Sequence, residues 1–144
     1  RSRGVRVRES ISKNIENFTN LVVLTVSAGG EKQTIAGTIF NRSDIRIVRI
    51  GGYHIEVIPS PFMLLCTYID KPGVIGRVGT FLGHNQINIA GMQVGRRSIG
   101  GEAVMALQVD DQITPELLDQ LAKLEGVLTA RFIHLQDREL FSKD

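Results

Sequence analysis

Tyr68-Ile69-Asp70-Lys71-Pro72-Gly73-Val74-Ile75-Gly76-Arg77-Val78-Gly79-Thr80-Phe81-Leu82-Gly83 is the stretch in which the chain turns from strand into helix. Phe62 to Asp70 is a β-rich run, and Lys71-Pro72-Gly73 closes it with a turn. From Val74 the apolar residues fall at 74, 75, 78, 81 and 82, the stripe of an amphipathic helix that Gly83-His84-Asn85 stops. A strand is expected from about Ile87 to Gly95, and Gly100-Gly101 turns it into a second one, Ala103 to Asp110. Thr114-Pro115-Glu116 supplies an N-cap, a first-turn proline and a first-turn acid. The helix behind it places Leu117, Leu118, Leu121 and Leu124 on one face, with Gly126 just past its end. Val127 to Leu135 reads as the last strand. The order β-α-β-β-α-β predicts an α+β, ferredoxin-like sandwich with two helices on one face of a four-stranded antiparallel sheet. Such a fold is silent about function.

Upstream the grammar is different. Pro59-Ser60-Pro61 forces extended backbone, which sets the expected boundary between a first domain over 1–60 and a second over 61–144. Before it, Leu21 to Ala28, Gln33 to Phe40, Ile45 to Ile50 and Tyr53 to Ile58 alternate Val, Ile and Thr with polar residues, the period of half-buried strands. Gly29-Gly30, Asn41-Arg42-Ser43-Asp44 and Gly51-Gly52 separate them, the last as a two-residue hairpin loop. A small, mostly antiparallel β-rich domain follows. Glu9 to Thr19 has Ile11, Ile15 and Phe18 at helical spacing.

With 144 residues, 42% of them hydrophobic, the chain can build globular cores. No apolar run approaches the roughly 18 to 20 residues of a membrane helix. The opening Arg1-Ser2-Arg3-Gly4-Val5-Arg6 has neither Met nor an apolar stretch behind its charges, so a fragment or processed form is expected in place of an exported precursor. The lone Cys66 can form no internal disulfide, and His54, His84 and His134 are too scattered for a zinc site, so no metal is expected and a reducing cytoplasm fits. The net charge of +2 conceals an asymmetry: 9 Lys and Arg against 5 Asp and Glu over 1–60, then 8 against 10 over 61–144. Arg1, Arg3, Arg6 and Arg8 account for much of the basic excess, which reads as a solvated segment.

Several motifs reduce to plain structure. Gly73, Gly76, Gly79 and Gly83 lack the Lys-Ser/Thr of a phosphate loop and the spacing of a dinucleotide fingerprint. Gly76, Gly79 and Gly83 fall opposite the core stripe, where another backbone can approach. Cys66, mid-strand with no adjacent histidine, reads as a packed thiol, not a nucleophile. Ala103 to Val109 has no aromatic for base stacking, so nucleic acid is not an expected partner.

The informative set is Tyr68, Asp70 and Asn88. Tyr68 and Asp70 project from one face of a strand that feeds a helix N-terminus, where free N–H groups and the dipole attract an anion. A zwitterionic amino acid needs such a pair: Asp70 for its ammonium, and the N–H groups at Gly73, Val74 and Ile75 for its carboxylate. Asn88 offers an amide to a polar side chain. Spacing alone equally allows Asp70 to cap its turn and Asn88 to begin a strand.

Asp-x-Pro-Gly-Val-Ile-Gly-Arg-Val-Gly from Asp70, followed by Asn88-Ile89-Ala90, resembles the ACT domain, a small-molecule-sensing module of amino-acid metabolism. Arg77 to Gly83 and Ile89 to Arg96, with Thr34-Ile35-Ala36-Gly37-Thr38 and Ile50-Gly51-Gly52-Tyr53 before them, are similar to the C-terminal regulatory region of long-form D-3-phosphoglycerate dehydrogenases. There an allosteric-substrate-binding domain precedes the ACT domain. The resemblance implies that Tyr68, Asp70 and Asn88 bind L-serine as feedback effector, across a homo-oligomer formed through ACT domains. It also implies a catalytic region elsewhere that binds NAD, since this chain has no dinucleotide fingerprint and no catalytic residue set; alone it is expected to have no dehydrogenase activity. Lys32, Arg46 and Arg49 are the candidates for holding phosphate or a phosphorylated substrate. Iron–sulfur L-serine dehydratases carry similar regulatory domains, and a free-standing amino-acid-binding ACT protein is the third alternative.

Overall fold

The computed structural model describes residues 20–40 and 44–136. The helix expected over 9–19, the arginines at 1, 3, 6 and 8, and the turn residues 41–43 lie outside the described residues.

Two antiparallel four-stranded sheets follow one another along the chain. The first is a meander of β1 (Val22–Ala28), β2 (Glu31–Phe40), β3 (Asp44–Ile50) and β4 (Tyr53–Val57), each strand paired with the next. Gly51 takes φ 57° between β3 and β4, a left-handed conformation that suits glycine, and its N–H bonds to the Thr34 carbonyl at 2.7 Å. The second sheet comprises β5 (Phe62–Ile69), β6 (Ile89–Arg96), β7 (Glu102–Val109) and β8 (Val127–His134) in the order β6-β7-β5-β8. Helices α1 (Val74–His84) and α2 (Pro115–Ala122) connect them. This is the α+β, ferredoxin-like order expected from the sequence.

Alternation decides which side chains meet which layer. Leu64, Cys66 and Tyr68 of β5, with Ala103, Met105, Leu107 and Val109 of β7, form one core with Val74, Val78 and Leu82 of α1 and Leu121 of α2. The intervening residues Met63, Val104 and Ala106 point the other way and pack with Ile55 and Val57 of β4. The second sheet is therefore covered by helices on one face and by the first sheet on the other. That accounts for the unbroken apolar run Ala103 to Leu107, since a strand buried on both faces loses alternation. The approach at this seam is close: a Cβ on Gly95 would lie 2.8 Å from the His54 carbonyl oxygen and 3.2 Å from the Ile55 Cβ.

The helix ends differ from expectation. The second helix stops at Ala122 with Lys123 as its cap, not at Leu124. Gly126 instead takes φ 90° in the turn before β8, where a Cβ would lie 2.6 Å from Val74 Cγ2. The close packing of that turn on α1, not helix propensity, sets the end. The strand expected from Ile87 begins at Ile89, because Ile87 N–H returns to the Leu82 carbonyl and closes α1 first. Thr114 caps α2 as expected, its hydroxyl accepting from Leu117 N–H.

Cys66 has no exposure, and burial pushes its thiol up to about 12. The thiolate is the reactive species, so the folded chain should resist an aromatic disulfide reagent at pH 8 and react once unfolded in guanidinium. Because the folded pKa is raised, the protonated thiol contributes stability at neutral pH that declines as pH climbs above about 9. Rapid labelling of the native chain would contradict this placement.

Candidate functional site

Asp70 follows the last residue of β5, where its N–H bonds to the Gly101 carbonyl at 2.8 Å. Gly73, with φ 90°, then turns the chain into α1 without any side-chain cap. The first-turn N–H groups are thus left to the backbone and to whatever binds there. Val74 N–H makes a long bond of 3.4 Å to the Lys71 carbonyl, whereas Ile75 N–H takes part in no turn bond. Of the N–H groups expected to meet an anion, those of Gly73 and Ile75 make no turn bond, and both are more available than that of Val74.

Tyr68 faces the helix layer and is 1% exposed, more deeply placed than a pocket wall. Its hydroxyl is buried without a hydrogen-bond partner among the described residues. Burial and then the Asp70 carboxylate raise its pKa, while Arg96 lowers it, so the phenol stays protonated at neutral pH. A buried hydroxyl with no partner costs on the order of 1 to 3 kcal/mol, a cost that an incoming polar atom can relieve.

Two residues that carry no role in the sequence reading complete the environment. Arg96, at the end of β6 and opposite Ala103, reaches Asp70 with Nη1 at 3.3 Å from Oδ2. Asp110 accepts from Asn88 Nδ2 at 2.6 Å. A carboxylate only accepts, so it fixes the amide with Oδ1 directed away, ready to accept a hydrogen bond.

Asn88 and Asp70 are not neighbours within one chain. Asp70 bonds to Gly101 just before β7, and Asn88 bonds to Asp110 just after it. At about 3.3 Å per residue the length of β7 separates them by roughly 25 Å. They lie, however, at opposite ends of β6, an edge strand. Antiparallel pairing of two such edges about a two-fold axis would set each Asn88 end against the other chain's Arg96 and Asp70.

In the first sheet, Lys32, Arg46 and Arg49 stand opposite Ser27, Thr38 and Ala36 respectively. Arg46 is engaged by the Asp44 carboxylate and lies 3.5 Å from Glu56 Oε1. Lys32 is four residues along β2 from the partner of Arg49, so the three basic groups are spread along one sheet face. Among the described residues no group of three His, Cys, Asp or Glu could hold a metal ion. No helix there is long and apolar enough to cross a membrane.

The ACT-domain family matches residues 62–126, and the family described as the D-3-phosphoglycerate dehydrogenase intervening domain matches residues 1–51. The chain is an intervening domain joined to an ACT domain. Its relatives include D-3-phosphoglycerate dehydrogenases of Archaeoglobus fulgidus, 41% identical over 135 residues, and Methanocaldococcus jannaschii, 35% identical over 135. These alignments cover 92% and 94% of this chain and 25% of each relative. The enzyme of Bacillus subtilis is 34% identical, with 94% of this chain and 26% of that protein aligned. The chain thus spans about a quarter of the relatives' length. The ACT match begins at the first residue of β5 and takes in Tyr68, Asp70 and Asn88, while the first sheet carries most of the described intervening domain.

Proposed function

We propose that this chain is the regulatory region of a D-3-phosphoglycerate dehydrogenase of serine biosynthesis, and that its ACT domain binds L-serine as allosteric feedback effector. The observation that carries this reading is one strand end where an acid, a helix N-terminus and an unpartnered buried hydroxyl converge. The serine ammonium pairs with Asp70. Its carboxylate takes the Ile75 N–H, with Gly73 and Val74 forming the turn beneath it. Its hydroxyl donates to Asn88 Oδ1 of a neighbouring chain, held in place by Asp110. The names of the relatives favour the dehydrogenase parent over the alternatives of an iron–sulfur L-serine dehydratase region and a free-standing ACT protein.

NAD belongs to the parent's catalytic region, outside these 144 residues. Both sheets described are antiparallel throughout, without the parallel βαβ unit whose first turn cradles a pyrophosphate, so the described residues do not fit that cofactor. Of the three basic candidates Lys32, Arg46 and Arg49, Lys32 and Arg49 are left to meet phosphate or a phosphorylated substrate. Arg46 already faces two carboxylates. The buried thiol suits a reducing cytoplasm.

Calorimetry of the purified chain with a panel of amino acids tests the function. L-serine should bind best, and binding heat for none of them would overturn the reading. The shared site further requires assembly through β6, whose Met92 and Val94 are each 39% exposed. Light scattering at tens of micromolar should give at least twice the chain mass, and a strict monomer would count against a shared site. Tyr68→Phe should raise the melting temperature of the free chain by removing the unpartnered hydroxyl, yet weaken L-serine binding. Tyr68→Ala should weaken it further.

A further inference from the structure

The effector end of β6 carries two consecutive arginines that reach different neighbours. Arg96 lies 3.3 Å from Asp70. Arg97 reaches the other domain, where its Nε donates to the Gly52 carbonyl at 3.1 Å and its guanidinium carbon sits 4.7 Å from the centre of the Tyr53 ring. The fit at the hairpin tip is tight, since a Cβ on Gly52 would fall 1.5 Å from Arg97 Nη2. Gly95, immediately before, brings the same strand end against the His54 carbonyl. Away from this clasp the two sheets separate. A cavity of about 490 Å³ opens between Leu24, Val26 and Ile35 of the first sheet and Leu65, Thr67 and Ile133 of the second.

We propose that Arg96 is a second anchor for the effector carboxylate, and that Arg97 carries its displacement to the β3–β4 hairpin of the intervening domain. This rests on the amino-acid reading above and specifies how that site regulates. Without ligand, the guanidinium of Arg96 partners the Asp70 carboxylate. An α-amino acid presents the matching pair of charges, so it inserts between them: its ammonium replaces the guanidinium on Asp70, and its carboxylate receives the freed guanidinium. Arg96 is 57% exposed at its side chain and has room to swing. Because the next residue is clamped on Gly52 and Tyr53, a change in the backbone at 96 alters that clamp. The ligand shifts the position of the hairpin only by its differential affinity for the clasped and released arrangements. The open cavity allows the first sheet to rock about β4.

Hydrogen–deuterium exchange of the purified chain, with and without millimolar L-serine, tests the relay. In the parent sequence, exchange should change both over 68–77 and over 50–56. Arg97→Ala, or Tyr53→Leu cutting the clasp from its other side, should keep the response at 68–77 and lose it at 50–56. A response at the effector site with none at the hairpin, or a hairpin response that survives both substitutions, overturns the relay and leaves the serine site standing. Silence at 68–77 in the parent sequence removes the serine site and the relay together. The anchor has its own readout: Arg96→Gln should narrow the preference for L-serine over ethanolamine, which lacks the carboxylate, at least about tenfold. An unchanged preference overturns the anchor, because a merely structural arginine would weaken both ligands alike.

Discussion

Asp70→Ala should lower the affinity for L-serine at least about tenfold by calorimetry, while the folded chain keeps its secondary structure. A charge-assisted hydrogen bond is worth roughly 1.5 to 3 kcal/mol, and about 1.4 kcal/mol is tenfold in affinity. Asp70 lies past the end of β5 and outside both core clusters, so its loss leaves the packing intact. The substitution also strands Arg96, but that guanidinium is more than half exposed and water can solvate it. Asn88→Ala should weaken binding comparably and, unlike Asp70→Ala, should also release Asp110. If Asp70→Ala leaves the affinity unchanged, Asp70 is a turn residue and the site lies elsewhere.

The largest effect on stability is expected at Leu107. It has no exposure and sits in β7 between Met92 on one side and Leu64 on the other, facing both helices. Leu107→Ala should cost about 2 to 5 kcal/mol, because the surrounding layers can collapse only partly onto the cavity. For a chain of this size that corresponds to a fall in melting temperature on the order of 10 °C. Ile99→Ala is the control, since Ile99 is 89% exposed in a loop and its truncation should change stability by no more than about 0.5 kcal/mol. A Leu107→Ala melting temperature within experimental error of the parent would mean that β7 is not the centre of the fold.

Strands and turns were legible because their signals are local. Val, Ile and Thr alternate in the first sheet, and Gly29, Gly30 and Gly51 stand where the turns take positive φ, while Gly52 does not. The helix after Pro72-Gly73 announced itself through a stripe whose buried members are Val74, Val78 and Leu82. The ends of elements were less legible, because tertiary contacts set them, as the packing of Gly126 on Val74 illustrates. The Tyr68–Asp70 pair could be read from strand period, but Arg96 and Asp110 could not. Their placement depends on the register of β6 on β7, including the irregularity between Ile89 and Gly91, which no short window encodes. One signal carries further than the Gly100-Gly101 turn that places β7: the unbroken apolar run from Ala103 to Leu107 demands cover on both faces, and the first sheet supplies the second cover.

The separation of Asp70 and Asn88 along β7 has a consequence for dose. If the pocket is shared between two chains as proposed, it does not exist in a lone chain, and binding and pairing draw on the same mass action. The apparent half-saturation for L-serine should therefore rise on dilution below the pairing constant, and added L-serine should hold pairs together at dilutions that otherwise part them. By symmetry each such pair would offer two equal pockets, one at either end of the shared edge. Saturation would then be one ligand per chain, although neither chain alone could keep its own.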